Sequence, residues 1–173
     1  DSIEDVYRSV KKFKNSKVRH IFKRENDYIQ NPKESGYRSY HMVYQFQSDD
    51  NDTYNKNILI EIQFRTKLQH IWATAVEMMG IFTKSKLKSS IGDEDILRFF
   101  VLVSSLFAQR EETPICPNTS DNTKDIINEV KEINNKLHLV SRISALSVAI
   151  KHTNVSQKMK GKGYYVLILN YEK

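Results

Sequence analysis

The sequence predicts an α+β domain in which helices pack on a small sheet. Strand-like alternation dominates the first part of the chain, and helical periodicity dominates the second. A chain of 173 residues is long enough for one domain with its own hydrophobic core. Its 39% hydrophobic and 28% charged residues exclude an intrinsically disordered chain.

The first part of the chain predicts one helix followed by three strands. Ser2 is suited to cap a helix from Ile3 to Phe13, where apolar residues recur at helical spacing. Alternating patterns then predict strands at Val18–Tyr28, Tyr40–Gln47 and Asn57–Arg65. In the third strand the two-residue period places Glu61, Gln63 and Arg65 on one face.

The second part predicts helices and one final strand. The expected elements are a helix from Lys67 to about Phe82 capped by Thr66, a helix from Asp93 to Arg110, a long helix from Asp121 or Thr123 to about Lys151, and a strand from Tyr164 to Tyr171. The long helix carries an apolar stripe formed by Ile126, Val130, Ile133, Leu137 and Val140. Such a stripe suits either the domain core or pairing with a partner helix, which would make a homo-oligomer.

Charge and cysteine content restrict the environment and partners. The formal net charge of +6 favours anionic partners such as nucleotides or RNA. Basic residues crowd the segment from 8 to 24, which fits a solvated helix face or a phosphate-facing edge. The single cysteine, Cys116, cannot form an internal disulfide, so we expect a cytoplasmic protein. No apolar run is long enough for a membrane span.

Several residues in the first half could bind a nucleotide. Lys33 lies on a short loop between Pro32 and Gly36, where its ammonium could reach a phosphate. Tyr37 could stack on a base, and His41 could donate a hydrogen bond to phosphate or ribose.

A carboxylate in the middle of a strand suggests a cleft. Glu61 could face phosphates through a bound Mg²⁺ ion, or it could form a structural salt bridge with Arg65 on the same strand face. The residue pattern alone leaves both interpretations open.

Two motifs in order resemble one known family. The stretch DYIQNPKESGYRSYH (27–41), followed by EIQFRT (61–66) and a helix containing WATAVE (72–77), is similar to the RelA/SpoT nucleotide pyrophosphokinases. The resemblance covers about residues 3–79, and the later helices resemble the extension of small alarmone synthetases and their toxin relatives. It implies a small mixed β-sheet of the nucleotidyltransferase-like synthetase type. It also implies transfer of pyrophosphate from ATP to the ribose 3′-hydroxyl of GDP or GTP.

The resemblance also implies a role for each site residue. Tyr37 would stack on guanine, Lys33 and His41 would contact the acceptor phosphates and ribose, and Glu61 would be the catalytic carboxylate beside Mg²⁺. Gln63 and Arg65 would support the cleft, and Ala73 would let the base approach its helix. Ser35 stands where many members have Asn, so one hydrogen bond to guanine is in question.

The family pattern also defines what this sequence does not contain. Members carry an upstream basic ATP-binding segment and a strand with the pattern D-x-x-G-x-R, whose Asp holds Mg²⁺ together with the Glu. We therefore expect residues 1–82 to be the acceptor-nucleotide half of a synthetase domain and residues 83–173 to be a C-terminal helical extension. On this interpretation the chain alone transfers nothing, whereas the intact protein is active.

Two further functional hypotheses stay open at this point. Some toxin relatives of the family pyrophosphorylate the 3′ end of tRNA, and basic residues including Lys158, Lys160 and Lys162 could follow an RNA backbone. A non-catalytic binding or assembly module is the other. All three depend on Tyr37 and Glu61 converging on the same hollow.

Overall fold

The computed structural model describes residues 2–47 and 58–153, with side chains described up to residue 148. The described elements are the helices α1 (Ile3–Lys14), α2 (Lys67–Thr83), α3 (Glu94–Arg110), α4 (Thr123–Leu137) and α5 (Leu139–Thr153), the strands β1 (Ile21–Asp27), β2 (Tyr40–Gln45) and β3 (Leu59–Phe64), and a single 3₁₀ turn at Leu87–Ser89. The predicted α+β class is confirmed. The final strand predicted at 164–171 lies outside the described residues.

Two of the predicted caps begin helices through reciprocal hydrogen bonds. The Ser2 hydroxyl accepts from the Asp5 N–H at 3.2 Å, and the Asp5 carboxylate accepts from the Ser2 N–H at 3.0 Å. Thr66 and Gln69 repeat this arrangement at the start of α2. Each exchange satisfies two backbone donors that a helix start otherwise leaves unpaired.

The prediction of one long C-terminal helix is wrong, because the chain breaks at His138. His138 adopts the left-handed conformation with φ 52°, and its N–H donates to the Asn134 carbonyl at 2.7 Å. The Asn134 side chain then accepts from the N–H of Val140 at 3.0 Å. One asparagine thus helps to end α4 and to begin α5.

The apolar stripe of α4 is part of the core, which is the first of the two predicted uses. Ile126 and Ile133 are buried in the same cluster as Phe99 and Phe100 of α3. Val140, at the end of the predicted stripe, is 55% exposed.

The three described strands form one antiparallel sheet in the order β1-β2-β3. The mixed sheet implied by the resemblance would also contain a parallel pair, and no such pair occurs among these strands.

Two hydrophobic clusters lie on either side of the strands that carry the polar residues. On one side, Val6 and Val10 of α1 pack with Met42 and Tyr44 of β2. The other cluster joins Tyr37 to α2, α3 and α4. Polar side chains of β2 and β3 that point away from α1 therefore lie on the side of Tyr37.

Candidate functional site

The register of β2 and β3 gathers three predicted site residues on one sheet face. His41 is the partner of Gln63, and Val43 is the partner of Glu61. Because side chains alternate across a strand, these positions share the face opposite to that of Met42, which packs with α1. The prediction that Glu61 and Gln63 share a face therefore holds.

The loop that carries Tyr37 is closed by its own backbone. The Gly36 N–H donates to the Lys33 carbonyl at 2.8 Å, and the Lys33 N–H donates to the Tyr37 carbonyl at 3.2 Å. Gly36 has φ +85°, a conformation that glycine adopts without a steric cost. This turn brings the side chain of Tyr37 to the sheet face that carries Glu61.

Tyr37 and Glu61 are joined through two intermediate side chains. The Tyr37 hydroxyl lies 2.9 Å from His41 Nε2, and His41 Nδ1 lies 3.3 Å from a Glu61 carboxylate oxygen. A second route runs from the Tyr37 hydroxyl to Gln63 Oε1 at 3.2 Å, and from Gln63 Nε2 to Glu61 at 2.6 Å. The two side chains thus lie on the same side of the sheet and are linked through His41 and Gln63; the hollow that they are predicted to share stays a prediction.

Burial determines the protonation of this network. Burial lowers the pKa of His41, although the Glu61 carboxylate acts in the opposite direction. Burial likewise raises the pKa of Tyr37, so its phenol stays protonated at neutral pH. A neutral His41 donates from Nδ1 to Glu61, which can only accept, and this leaves Nε2 as an acceptor. The one phenol proton of Tyr37 is then shared between His41 Nε2 and Gln63 Oε1.

Cationic side chains border the network. Arg65 donates to Gln63 Oε1 at 2.6 Å, so Arg65 reaches Glu61 through Gln63, whereas the Glu61 carboxylate itself contacts His41 Nδ1. The Lys33 ammonium lies 4.5 Å from the centroid of the Tyr28 ring and 5.6 Å from that of Tyr37. A flat base and phosphate groups would both find complementary partners here.

Ala73 lies on α2 and is 1% exposed, in the same core cluster as Tyr37 and Trp72. The Tyr37 and Trp72 ring centroids are 6.4 Å apart. The small side chain of Ala73 is therefore close to the site as part of the packed wall behind it.

Sequence reasoning missed two groups of residues at the site. Lys88, just beyond α2, places its ammonium 5.5 Å from the Tyr37 ring centroid and pairs with Glu77 of α2. Ser104 of α3 donates to the Gly36 carbonyl at 2.6 Å. The predicted WATAVE helix contained Glu77, but no local pattern indicated that a turn residue or α3 would reach the loop.

The described residues do not provide a complete magnesium site. Among residues 2–47 and 58–153, no group of three or more His, Cys, Asp or Glu side chains is arranged to hold a metal ion. The Glu61 carboxylate contacts His41 and Gln63, and a single carboxylate is an incomplete ligand set for Mg²⁺.

None of the described helices has both the length and the apolar character that a membrane crossing requires.

Comparison with known proteins connects this geometry to one family. A sequence model of the region found in RelA and SpoT proteins matches residues 1–88. The GTP pyrophosphokinase YjbM of Bacillus subtilis is 48% identical over 52 residues, which are 29% of this chain and 23% of that protein.

Solved structures give the same result over a longer stretch. A GTP pyrophosphokinase family protein from Streptococcus pneumoniae aligns with a TM-score of 0.50 and 26% identity over 65% of this chain and 52% of its own. The small alarmone synthetase 1 of Bacillus subtilis, solved with its product pppGpp, aligns with a TM-score of 0.50 and 27% identity over 65% and 53%. The chain thus spans about half the length of these solved relatives. From these matches and the shared motifs, the chain belongs to the RelA/SpoT family.

Proposed function

We propose that these residues form the acceptor-nucleotide half of a pyrophosphokinase that transfers pyrophosphate from ATP to the 3′-hydroxyl of GDP or GTP. The observation that carries the proposal is the hydrogen-bonded chain Tyr37–His41–Glu61, with Gln63 as a second link. In this chain Tyr37 supplies an aromatic ring on which a base can stack, and Glu61 supplies an oriented carboxylate that can accept a proton from a hydroxyl. The relatives named as GTP pyrophosphokinases support the same reaction.

The acceptor would be held by the loop and the two central strands. The base stacks on Tyr37, near Ala73, while Lys33 and His41 contact the phosphates and ribose. Lys33 lies on an exposed loop beside the Tyr37 ring, so its ammonium can turn towards an arriving phosphate at little cost. Arg65 keeps Gln63 in place, and Gln63 in turn holds Glu61.

In the proposed reaction, Glu61 accepts the proton of the 3′-hydroxyl. The ribose oxygen then forms a bond to the β-phosphorus of ATP, the bond from that phosphorus to the α-phosphate oxygen breaks, and AMP leaves. His41 donates to Glu61 through Nδ1, which fixes the direction of the carboxylate. Catalysis on the acceptor side is then mainly a matter of position and charge.

We also propose that the reaction uses a Mg²⁺ ion, to which Glu61 would supply one oxygen ligand. The remaining ligands would come from substrate phosphates and from a second carboxylate outside the described residues. We also propose that the ATP-binding half lies outside this sequence, so that the 173-residue chain binds the acceptor without transferring pyrophosphate to it.

The test uses labelled ATP and the intact protein. We expect the label to appear on GDP or GTP, and we expect Glu61→Gln to reduce transfer by at least 100-fold, on the order of a lost general base, while acceptor affinity changes little. Glu132→Gln, at an exposed position on α4, is the matched control and should leave transfer unchanged. Undiminished transfer by Glu61→Gln would overturn its role.

The same assay tests the acceptor. Deacylated tRNA is offered beside GDP and GTP under identical conditions. Label found only on tRNA would refute a nucleotide acceptor, and label on GDP or GTP would support it.

A further inference from the structure

The turn that follows α2 brings a lysine back to the ring of Tyr37. Lys84 adopts the left-handed conformation with φ 53°, and the Ser85 N–H donates to the Gly80 carbonyl at 2.9 Å. Leu87 is 3% exposed and anchors the turn in the core. Lys88 is thereby directed towards the site, with its ammonium 5.5 Å from the centroid of the Tyr37 ring.

Lys88 forms an ion pair with Glu77 on α2. Glu77 lies one helical turn beyond Ala73, so α2 presents both residues on the same side. Burial is the main cause of the raised pKa of Tyr37, and the carboxylates of Glu61 and Glu77 add to it. Arg65 and a hydrogen bond with Ser39 lower the same pKa, and the effect of Glu77 is the smallest of these.

The pair also borders a cavity of about 350 Å³. Its wall includes Val76, Glu77, Gly80, Lys86, Leu87 and Lys88. The volume falls at the lower end of the range for small-molecule sites, about 300 to 1,000 Å³. The cavity and the ring share Lys88, so a base stacked on Tyr37 would have its edge near this space.

Stability alone gives the pair little reason to exist. The side chains of Lys88 and Glu77 are 30% and 61% exposed. Exposed ion pairs contribute about 0 to 1 kcal/mol, because solvent screens the charges and ordering two long side chains has an entropic cost. A charged pair beside the ring of Tyr37, which is proposed to stack on the base, can contribute directly to nucleotide binding.

We propose that Glu77 and Lys88 read the hydrogen-bonding edge of the acceptor guanine, an inference that rests on the proposed function. Guanine presents the O6 acceptor beside the N1–H and N2–H donors. A carboxylate can accept from both donors, and an ammonium can donate to O6. Adenine presents a donor at N6 and an acceptor at N1, which is the opposite pattern.

Binding would exchange one set of contacts for another. In the free protein the Lys88 ammonium is held by the Tyr37 ring and by Glu77. When a base stacks on the ring, Lys88 moves its contact to O6 and Glu77 turns to the two N–H groups. The pair thus opens around the edge of the base.

The test is titration calorimetry of the full chain with GDP, IDP and ADP. IDP keeps O6 and N1–H but lacks the 2-amino group. We expect the wild type to bind GDP about tenfold more tightly than IDP, the effect of one charge-assisted hydrogen bond. In Glu77→Gln this preference should fall to about twofold, because an NH2 donor replaces one carboxylate oxygen and cannot accept from a base N–H.

Lys88→Met provides an independent readout. GDP and IDP share O6, so both should lose about tenfold in affinity, and discrimination against ADP should decrease. Lys131→Met removes an equal charge at an exposed position on α4, away from the cavity, and should change neither the GDP-to-IDP ratio nor the discrimination against ADP. Unfolding midpoints are measured for all variants, so that a loss of affinity in Lys88→Met, whose side chain is 30% exposed, is separated from a loss of stability.

The outcomes separate this inference from the proposed function. If the wild type binds GDP but both variants keep its preferences among GDP, IDP and ADP, the role of the pair is overturned and acceptor binding stands. If the wild type binds no guanine nucleotide, the proposed function fails and this inference fails with it.

Discussion

The hydroxyl of Ser104 donates a hydrogen bond of 2.6 Å to the carbonyl oxygen of Gly36. The same hydroxyl accepts from Arg38 Nε at 3.0 Å. Gly36 and Arg38 are the two neighbours of Tyr37 in the chain, so one side chain of α3 holds the loop on both sides of that ring. Helix α3 lies outside residues 1–88, which the RelA/SpoT sequence model matches. It nevertheless holds the loop that carries Tyr37, the residue proposed to stack on the acceptor base.

Ser104→Ala should weaken acceptor binding. Its removal takes a partner from the buried Gly36 carbonyl and from Arg38 Nε, which costs about 1 to 3 kcal/mol in the free energy of unfolding. We also expect GDP affinity to fall about three- to tenfold, since Tyr37 loses its support. Urea unfolding and titration calorimetry measure the two effects.

Ser105→Ala is the matched control for this prediction. Ser105 is equally buried on α3, but its hydroxyl accepts from the Cys116 N–H at 3.2 Å and does not contact the Tyr37 loop. It should lose similar stability and keep its GDP affinity. Equal losses of affinity in both variants would show that Ser104 acts only through general stability.

Gly36→Ala should damage the same loop through sterics. At φ +85° an added Cβ would lie 3.0 Å from Ser104 Cβ and 3.2 Å from Trp72 Cζ2. The left-handed conformation alone costs a non-glycine residue about 1 to 2 kcal/mol, and the contacts add to this. We expect a loss of at least 2 kcal/mol by urea unfolding, against less than about 0.5 kcal/mol for the exposed neighbour Glu34→Ala. A loss no larger than that of Glu34→Ala would disprove the steric argument.

Stability should depend on pH through His41. Its pKa is lowered from 6.5 by burial, so near that value the unfolded chain binds a proton that the folded protein does not. The free energy of unfolding should therefore rise with pH between the pKa of His41 in the folded protein and 6.5. The stability that neutral His41 contributes should be lost as the pH falls through this window. Urea unfolding between about pH 5 and pH 8 should show a shallower slope for His41→Gln than for the wild type. Parallel curves would contradict the assignment.

Cys116 should be chemically protected in the folded protein. Its side chain is 1% exposed, its N–H donates to Ser105, and its sulfur accepts from Arg38 at 3.5 Å. Alkylation of Cys116 by iodoacetamide, followed by mass spectrometry, should proceed only at the rate at which the protein unfolds locally. The control is Ser141→Cys, whose added thiol lies at an exposed position of α5 and should react at once. Rapid modification of Cys116 under native conditions would be inconsistent with this packing.

Local patterns in the sequence predicted the parts of the fold that depend on near neighbours. Ser2 and Thr66 cap helices through residues three positions away, so their effect can be read from a short window. The alternation in β3 likewise placed Glu61 and Gln63 on one face. The register with His41 then followed once β2 and β3 paired.

Contacts between distant segments could not be read in the same way. Ser104 and Gly36 are separated by 68 residues, and serine in the middle of a helix carries no signal for such a contact. Lys88 reaches Tyr37 only because a left-handed residue turns the chain after α2. The break at His138 was missed for a related reason, since an apolar stripe continues across it while Asn134 ends one helix and begins the next.

The position of Trp72 gives the protein an internal optical probe. It is the single tryptophan of the sequence, its indole N–H donates to the Phe100 carbonyl at 2.8 Å, and its ring lies 6.4 Å from that of Tyr37. A fluorophore held in a dry, rigid environment emits with a defined spectrum, and energy absorbed by the adjacent phenol passes to it over this short distance. Any molecule that settles against Tyr37 will alter that emission, so ligand occupancy can be followed in real time without attaching a dye.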